Sequence, residues 1–95
     1  MATRVGLLHL EVRIGEAMNL KDKRRVVKSF KDRLSRHWNV SVAEVDHVDN
    51  IRQAVLAVAM VGSDGRYIKG ALDKVVDLAH ANRAWTLIDY SVEII

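Results

Sequence analysis

Apolar residues in this 95-residue chain recur with two different periods, and the order in which those periods alternate restricts the fold more than any other feature. From Val5 to Ile14, the residues Leu8, Leu10, Val12 and Ile14 alternate with His9, Glu11 and Arg13, the period of a half-buried strand, and Gly15 ends it. Leu20, Val27, Phe30, Leu34 and Trp38 then follow helical spacing. Asn19 offers that helix an N-cap, and Asp22 places an acidic side chain in its first turn, where the helix dipole favours it. Asn39 breaks the pattern. Val40 to His47 is β-branched enough for a second strand, Asp46, Asp49 and Asn50 make a turn, and Arg52 to Val61 reads as a central strand, apolar on both faces. Gly62, Ser63 and Asp64 supply a turn and a cap. Ile68, Leu72, Val75, Val76 and Ala79 mark a second helix up to a C-cap at Asn82. Finally, Thr86, Ile88, Tyr90, Val92 and Ile94 alternate with Leu87, Asp89, Ser91 and Glu93 in a last strand.

The order is βαββαβ. Two right-handed crossovers in this order fold into a ferredoxin-like α+β sandwich, a four-stranded antiparallel sheet with both helices on one face, formed as a single domain over residues 1–95. The helices are expected to cover Leu8, Leu10, Val12, Ile88, Tyr90 and Val92. The opposite face is expected to carry Leu7, His9, Glu11, Arg13, Trp85, Leu87, Asp89, Ser91 and Glu93, with one apolar side of the third strand. An uncovered face this apolar exceeds what monomers usually expose, so it predicts a homo-oligomer with Leu7, His9, Trp85 and Leu87 at its interface.

Composition narrows the chemistry. At this length about 60–65% of the unfolded surface is buried, enough for a thin core without staples. Cysteine is absent, which excludes disulfides, thiolate nucleophiles and Cys-ligated metal sites and suits a reducing cytoplasm. The first strand is too interrupted by polar residues for a signal-peptide core, and Ala54 to Val61 is too short to cross a bilayer. A cytoplasmic protein without a membrane partner is the expectation.

Charge is distributed unevenly. Between Lys21 and His37 there are eight Lys or Arg and two Asp, a local charge of +6, whereas the remaining residues carry seven basic and ten acidic groups, or −3. A field this local attracts an anionic polymer even though the whole chain is only +3. Lys21, Arg25, Lys28 and Arg36 are placed to touch a phosphate backbone, with Arg24 and Lys31 at the flank. The plainer reading is a solvated helix face. Lys23 falls among Leu20, Val27, Phe30 and Leu34 at 100° per residue, and its stem is expected to pack on the core while its amine reaches solvent or pairs with Glu16.

The string AMNLKDKRRVVKSFKDRLSRHWNVSVAEVDHVD, followed by RQAVLAVAMV and by LDKVVDLA, resembles the YlxP-like family of small bacterial proteins over essentially the whole chain. The segment from Leu20 to Arg25 and the segment from Asn39 to Val45 carry most of that resemblance. It implies the ferredoxin-like fold. It also implies kinship with proteins of unassigned function commonly encoded beside translation-initiation and ribosome-maturation genes. The chain departs from the family pattern with Asn19 in place of Ser, Asp46 in place of Gly and Ile51 in place of Trp.

No catalytic constellation accompanies the basic helix. The loop from Gly15 to Asn19 holds one glycine, where an acylphosphatase of this topology would use a glycine-rich phosphate cradle. No Ser, His and carboxylate set suggests a nucleophile. His9, Glu11, Asp89 and Glu93 share the open face, but no HxH or HxxxH pair supports a metal site. His37 and His80 lie where a helix C-terminus favours an imidazolium. The first and third strands carry no aromatic residue on which a base could stack. The expectation is a non-enzymatic protein without cofactor or metal that binds RNA or a ribosomal subunit through its first helix. The alternative is a structural or regulatory homo-oligomer whose basic helix docks on an acidic protein surface.

Overall fold

The computed structural model describes residues 2–95 and contains six elements: β1 (Arg4–Arg13), α1 (Leu20–His37), β2 (Val40–Asp46), β3 (Gln53–Gly62), α2 (Gly65–Ala81) and β4 (Thr86–Ile94). The strands form one antiparallel sheet in the order β2-β3-β1-β4. Both helices pack on one face, giving the ferredoxin-like α+β sandwich that the period changes predict.

Side chains set the element boundaries. Asn19 is extended, and its Oδ1 accepts the Asp22 N–H at 2.8 Å, while Asp22 Oδ2 accepts the Met18 N–H at 3.0 Å. This reciprocal box satisfies donors at the start of α1 that the helix itself leaves free. Trp38 closes the helix, its N–H donating to the Leu34 carbonyl at 2.9 Å. Asp64 caps α2 by accepting the Arg66 N–H at 2.9 Å.

Leu8, Leu10 and Val12 of β1, Ala54, Leu56 and Val58 of β3, Phe30 and Leu34 of α1, and Ile68, Leu72 and Val75 of α2 are all buried between the layers. The second helix crosses β1 at Gly6, where a Cβ would collide with Ile68 Cγ2 and Leu72 Cδ1. Any larger residue there would push α2 off the sheet.

Two bulges depart from strict alternation. In β4, Leu10 pairs with Tyr90 and Glu11 with Asp89, but Val12 then pairs with Leu87. One extra residue reverses the facing of everything on its far side. Leu87 therefore packs against the helix-side core, and Trp85 is buried at 6% exposure, so neither belongs to the open face where alternation puts them. Trp85 meets the Phe30 ring edge-on at 4.7 Å, and its Nε1–H donates to the Ala79 carbonyl at 2.9 Å, a partner that makes burial of the indole nitrogen affordable. Ile88 and Tyr90, expected beneath the helices, are 47% and 49% exposed. In β2, Glu44 pairs with Leu56 and Asp46 with Val55, leaving Val45 as the extra residue. The central strand β3 is fully covered on its helix side, while Val55, Ala57 and Ala59 on the other side are half-buried.

Candidate nucleic-acid interface

The outer face of α1 is built by elimination. Phe30 and Leu34 occupy the core, with Val27 and Trp38 packed against it, so the remaining arc of the helix is left to solvent. Lys21, Arg24, Arg25, Lys28, Lys31 and Arg36 all lie exposed on that arc, as their spacing requires. Arg33 joins them. It was not assigned to the site from sequence, although 100° per residue already separates it from the apolar stripe.

Among the described residues, Lys28 is the one cation of this face with a protein partner, donating to Asp32 Oδ2 at 2.7 Å one turn along the helix. The hydrogen bond from Lys28 holds the Asp32 carboxyl below its ordinary range against the opposing cost of desolvation, and the positive potential of Lys28, Arg36 and Lys31 adds to the lowering. Lys21, Arg24, Arg25, Lys31, Arg33 and Arg36 hold no ion pair within the described chain.

Asp32 and Lys28 form a crest with cations on either side. Toward β2, Arg24 and Lys31 rise over Val27, Val42, Ala43 and Glu44 along an open groove of 360 Å³. On the other flank, Arg25, Arg33 and Arg36 surround Ser29.

The eighth cation of α1 is used differently. Lys23 is fully buried, and its Nζ donates to the carbonyls of His47 and Asn50 at 2.6 Å each and to that of Val48 at 3.3 Å. Glu44 Oε2 lies 2.6 Å from the same nitrogen. Because the three N–H groups are directed at carbonyls, the carboxylate contributes charge without an aligned hydrogen bond. The expectation that the amine reaches solvent or Glu16 is thus corrected: it closes the turn between β2 and β3. His47 in that turn has φ 57°, a conformation uncommon for a residue with a side chain, and its carbonyl is one of those Lys23 holds. Glu44 was missed from sequence, yet it shares the parity of Val40 and Val42 and so faces the helix across β2.

On the open face, Leu7 and His9 are half-buried, in register with Glu93 and Ser91. Glu11 lies opposite Asp89. Among the described residues no group of three or more His, Asp or Glu side chains is arranged to hold a metal ion. Among the described residues no helix is long and apolar enough to cross a membrane.

Residues 5–92 match the model of the family described as "Protein of unknown function (DUF503)". The chain is 29% identical over 72 residues to "Uncharacterized protein YlxP" of Bacillus subtilis (strain 168), a match covering 76% of this chain and 78% of that protein. Among solved structures it is similar to the de novo designed protein Foldit4, with a TM-score of 0.55 at 14% identity over 96% of both chains. At that identity the likeness concerns the fold alone.

Proposed function

The chain belongs to the DUF503 family, and we propose that it is a non-enzymatic binding protein that holds RNA, or an RNA surface of the ribosome, through the outer face of α1. The observation that carries this reading is the set of six exposed cations without a protein counter-charge among the described residues: Lys21, Arg24, Arg25, Lys31, Arg33 and Arg36. A helix face meant only for solubility gains from interspersed signs. Here two carboxylates stand among seven cations, and one of them, Asp22, is taken up in the N-terminal cap, which leaves Asp32 alone to answer the outer face. RNA is preferred to DNA because of the translation-gene setting that the family resemblance implies.

Phosphate binding has a diagnostic dependence on salt. The logarithm of affinity falls linearly with the logarithm of salt concentration, by about 0.9 per neutralised duplex phosphate and about 0.7 per single-strand phosphate. Fluorescence anisotropy with ribosomal RNA fragments should show that slope, and the double reversal Arg25→Glu with Lys28→Glu should flatten it by about one contact, that of Arg25, since Lys28 is already engaged by Asp32. Binding no tighter than to polyglutamate, or unchanged by the reversal, would remove the reading in favour of an acidic protein partner.

The open sheet face supports a second, compatible reading, self-association with another copy of the chain. Leu7 and Val55 on the two central strands remain half-exposed, and Val61 is more so. Light scattering should give a mass above that of one chain, reduced by the double change Leu7→Lys and Val55→Lys. A monomer at high protein concentration and moderate salt would end this reading.

A further inference from the structure

We infer, building on the RNA-binding reading above, that the RNA held by α1 is double-stranded and that its phosphates are gripped on both walls of one groove. The argument lies in where free charge sits around the helix. Lys28 is engaged by Asp32 at 2.7 Å, so the strip of the outer face between the two sets of free cations is close to neutral through its middle. Apart from Lys21, which lies on that strip at the start of the helix, the unengaged cations fall on two sides of it, Arg24 and Lys31 beside the β2 groove and Arg25, Arg33 and Arg36 opposite. At 100° per residue, members of the two sets are separated by about 100–180° around the axis. They extend over roughly 18 Å of its length, at 1.5 Å per residue from Arg24 to Arg36.

A rod about 10–12 Å across with cations on both sides and a neutral crest matches two phosphate rows with a gap between them. The wide, shallow minor groove of an A-form helix offers that arrangement, and duplex RNA is generally recognised by shape and backbone there. A single strand has one phosphate row. Laid along the crest it would meet the Lys28–Asp32 pair, and laid along either flank it would use only part of the charge.

Stacking points the same way. Proteins that hold single strands usually combine a basic groove with aromatic platforms. The exposed tyrosines here, Tyr67 on α2 and Tyr90 on β4, are remote from α1, since α1 packs beside edge strand β2 and β4 is the opposite edge of the sheet. Trp38 is half-buried against the core.

The test compares a blunt RNA duplex of about two helical turns with an unstructured single strand of equal length, by anisotropy at low salt, on the full chain. The duplex should bind about tenfold more tightly. Two double reversals probe the flanks separately: Arg24→Glu with Lys31→Glu, and Arg33→Glu with Arg36→Glu. Each should weaken duplex binding by about tenfold or more and lower the salt slope by about two contacts, with circular dichroism confirming that the variant is folded. Equal or tighter binding of the single strand, or a loss confined to one flank, overturns the two-walled grip while leaving RNA binding in place. Failure to bind either RNA removes the underlying reading as well.

Discussion

Lys23 and its neighbours Arg24 and Arg25 belong to one turn of one helix, yet they meet opposite surroundings. The Lys23 ammonium has three carbonyls and a carboxylate around it, with no exposure to water. Arg24 and Arg25 are exposed and have no protein acceptor among the described residues. Facing decides the difference. A charge turned inward must be fully answered by protein, because leaving it partly answered costs several kcal/mol. A charge turned outward is answered by water, which a phosphate can replace. The basic character of α1 is therefore two features, one that builds the fold and one available to a ligand.

The largest effect expected from this contrast is on stability. Removing one partner of a buried ion pair costs about 3–5 kcal/mol, a large part of the about 5–15 kcal/mol by which domains of this kind are stable. Lys23→Met should fall in that range, since it leaves Glu44 without its cation and frees three loop carbonyls. Arg25→Ala, in the same turn but on the outer face, should change stability by no more than about 0.5 kcal/mol. Urea denaturation of the two variants would measure both. A loss for Lys23→Met as small as that for Arg25→Ala would show that Lys23 is not the clamp of the β2–β3 turn. Amide exchange at His47 to Asn50 should quicken in the same variant, because the turn loses the group that gathers its carbonyls.

The same contrast explains what was legible in the sequence. Periodicity places Lys23 inside and the other cations outside, because one angle per residue governs the whole helix. It likewise yields the βαββαβ order, Asn19 and Asp64 as N-caps, and Leu8, Leu10 and Val12 as core. The partner of Lys23 was not found because the turn carbonyls that satisfy it are backbone groups, and any residue type supplies those. Trp85 and Leu87 were misplaced for a related reason. A bulge adds one residue to a strand without leaving a glycine or proline to mark it, and Ile88 looks like any other strand residue. Past that point, parity counts from the wrong origin. Glu44 precedes the bulge in β2, so parity would have placed it correctly had its match to Lys23 been sought.

The smallest and most specific effect concerns Asp32, the acid that sits among outward cations. Its carboxyl is held below the ordinary range chiefly by the Lys28 hydrogen bond, aided by the charges of Lys28, Arg36 and Lys31. A group whose folded pKa is depressed stabilises the fold above its unfolded value and loses that contribution as pH falls through the folded one. Asp32 is thus ionised throughout the neutral range, and stability owed to it should be flat there and decline only in acid. Its ionisation works against a polyanion, because it occupies Lys28 and lowers the local charge by one. Asp32→Asn removes both obstacles without altering the backbone. RNA affinity should rise by roughly fivefold, and the salt slope should steepen by about one phosphate contact as Lys28 becomes available. The gain should persist at neutral pH and shrink toward zero in acid, where the native carboxyl is itself protonated. Anisotropy titrations of both proteins across that pH range read the effect directly. An affinity that does not change at neutral pH would mean that the freed Lys28 side chain reaches neither row of phosphates.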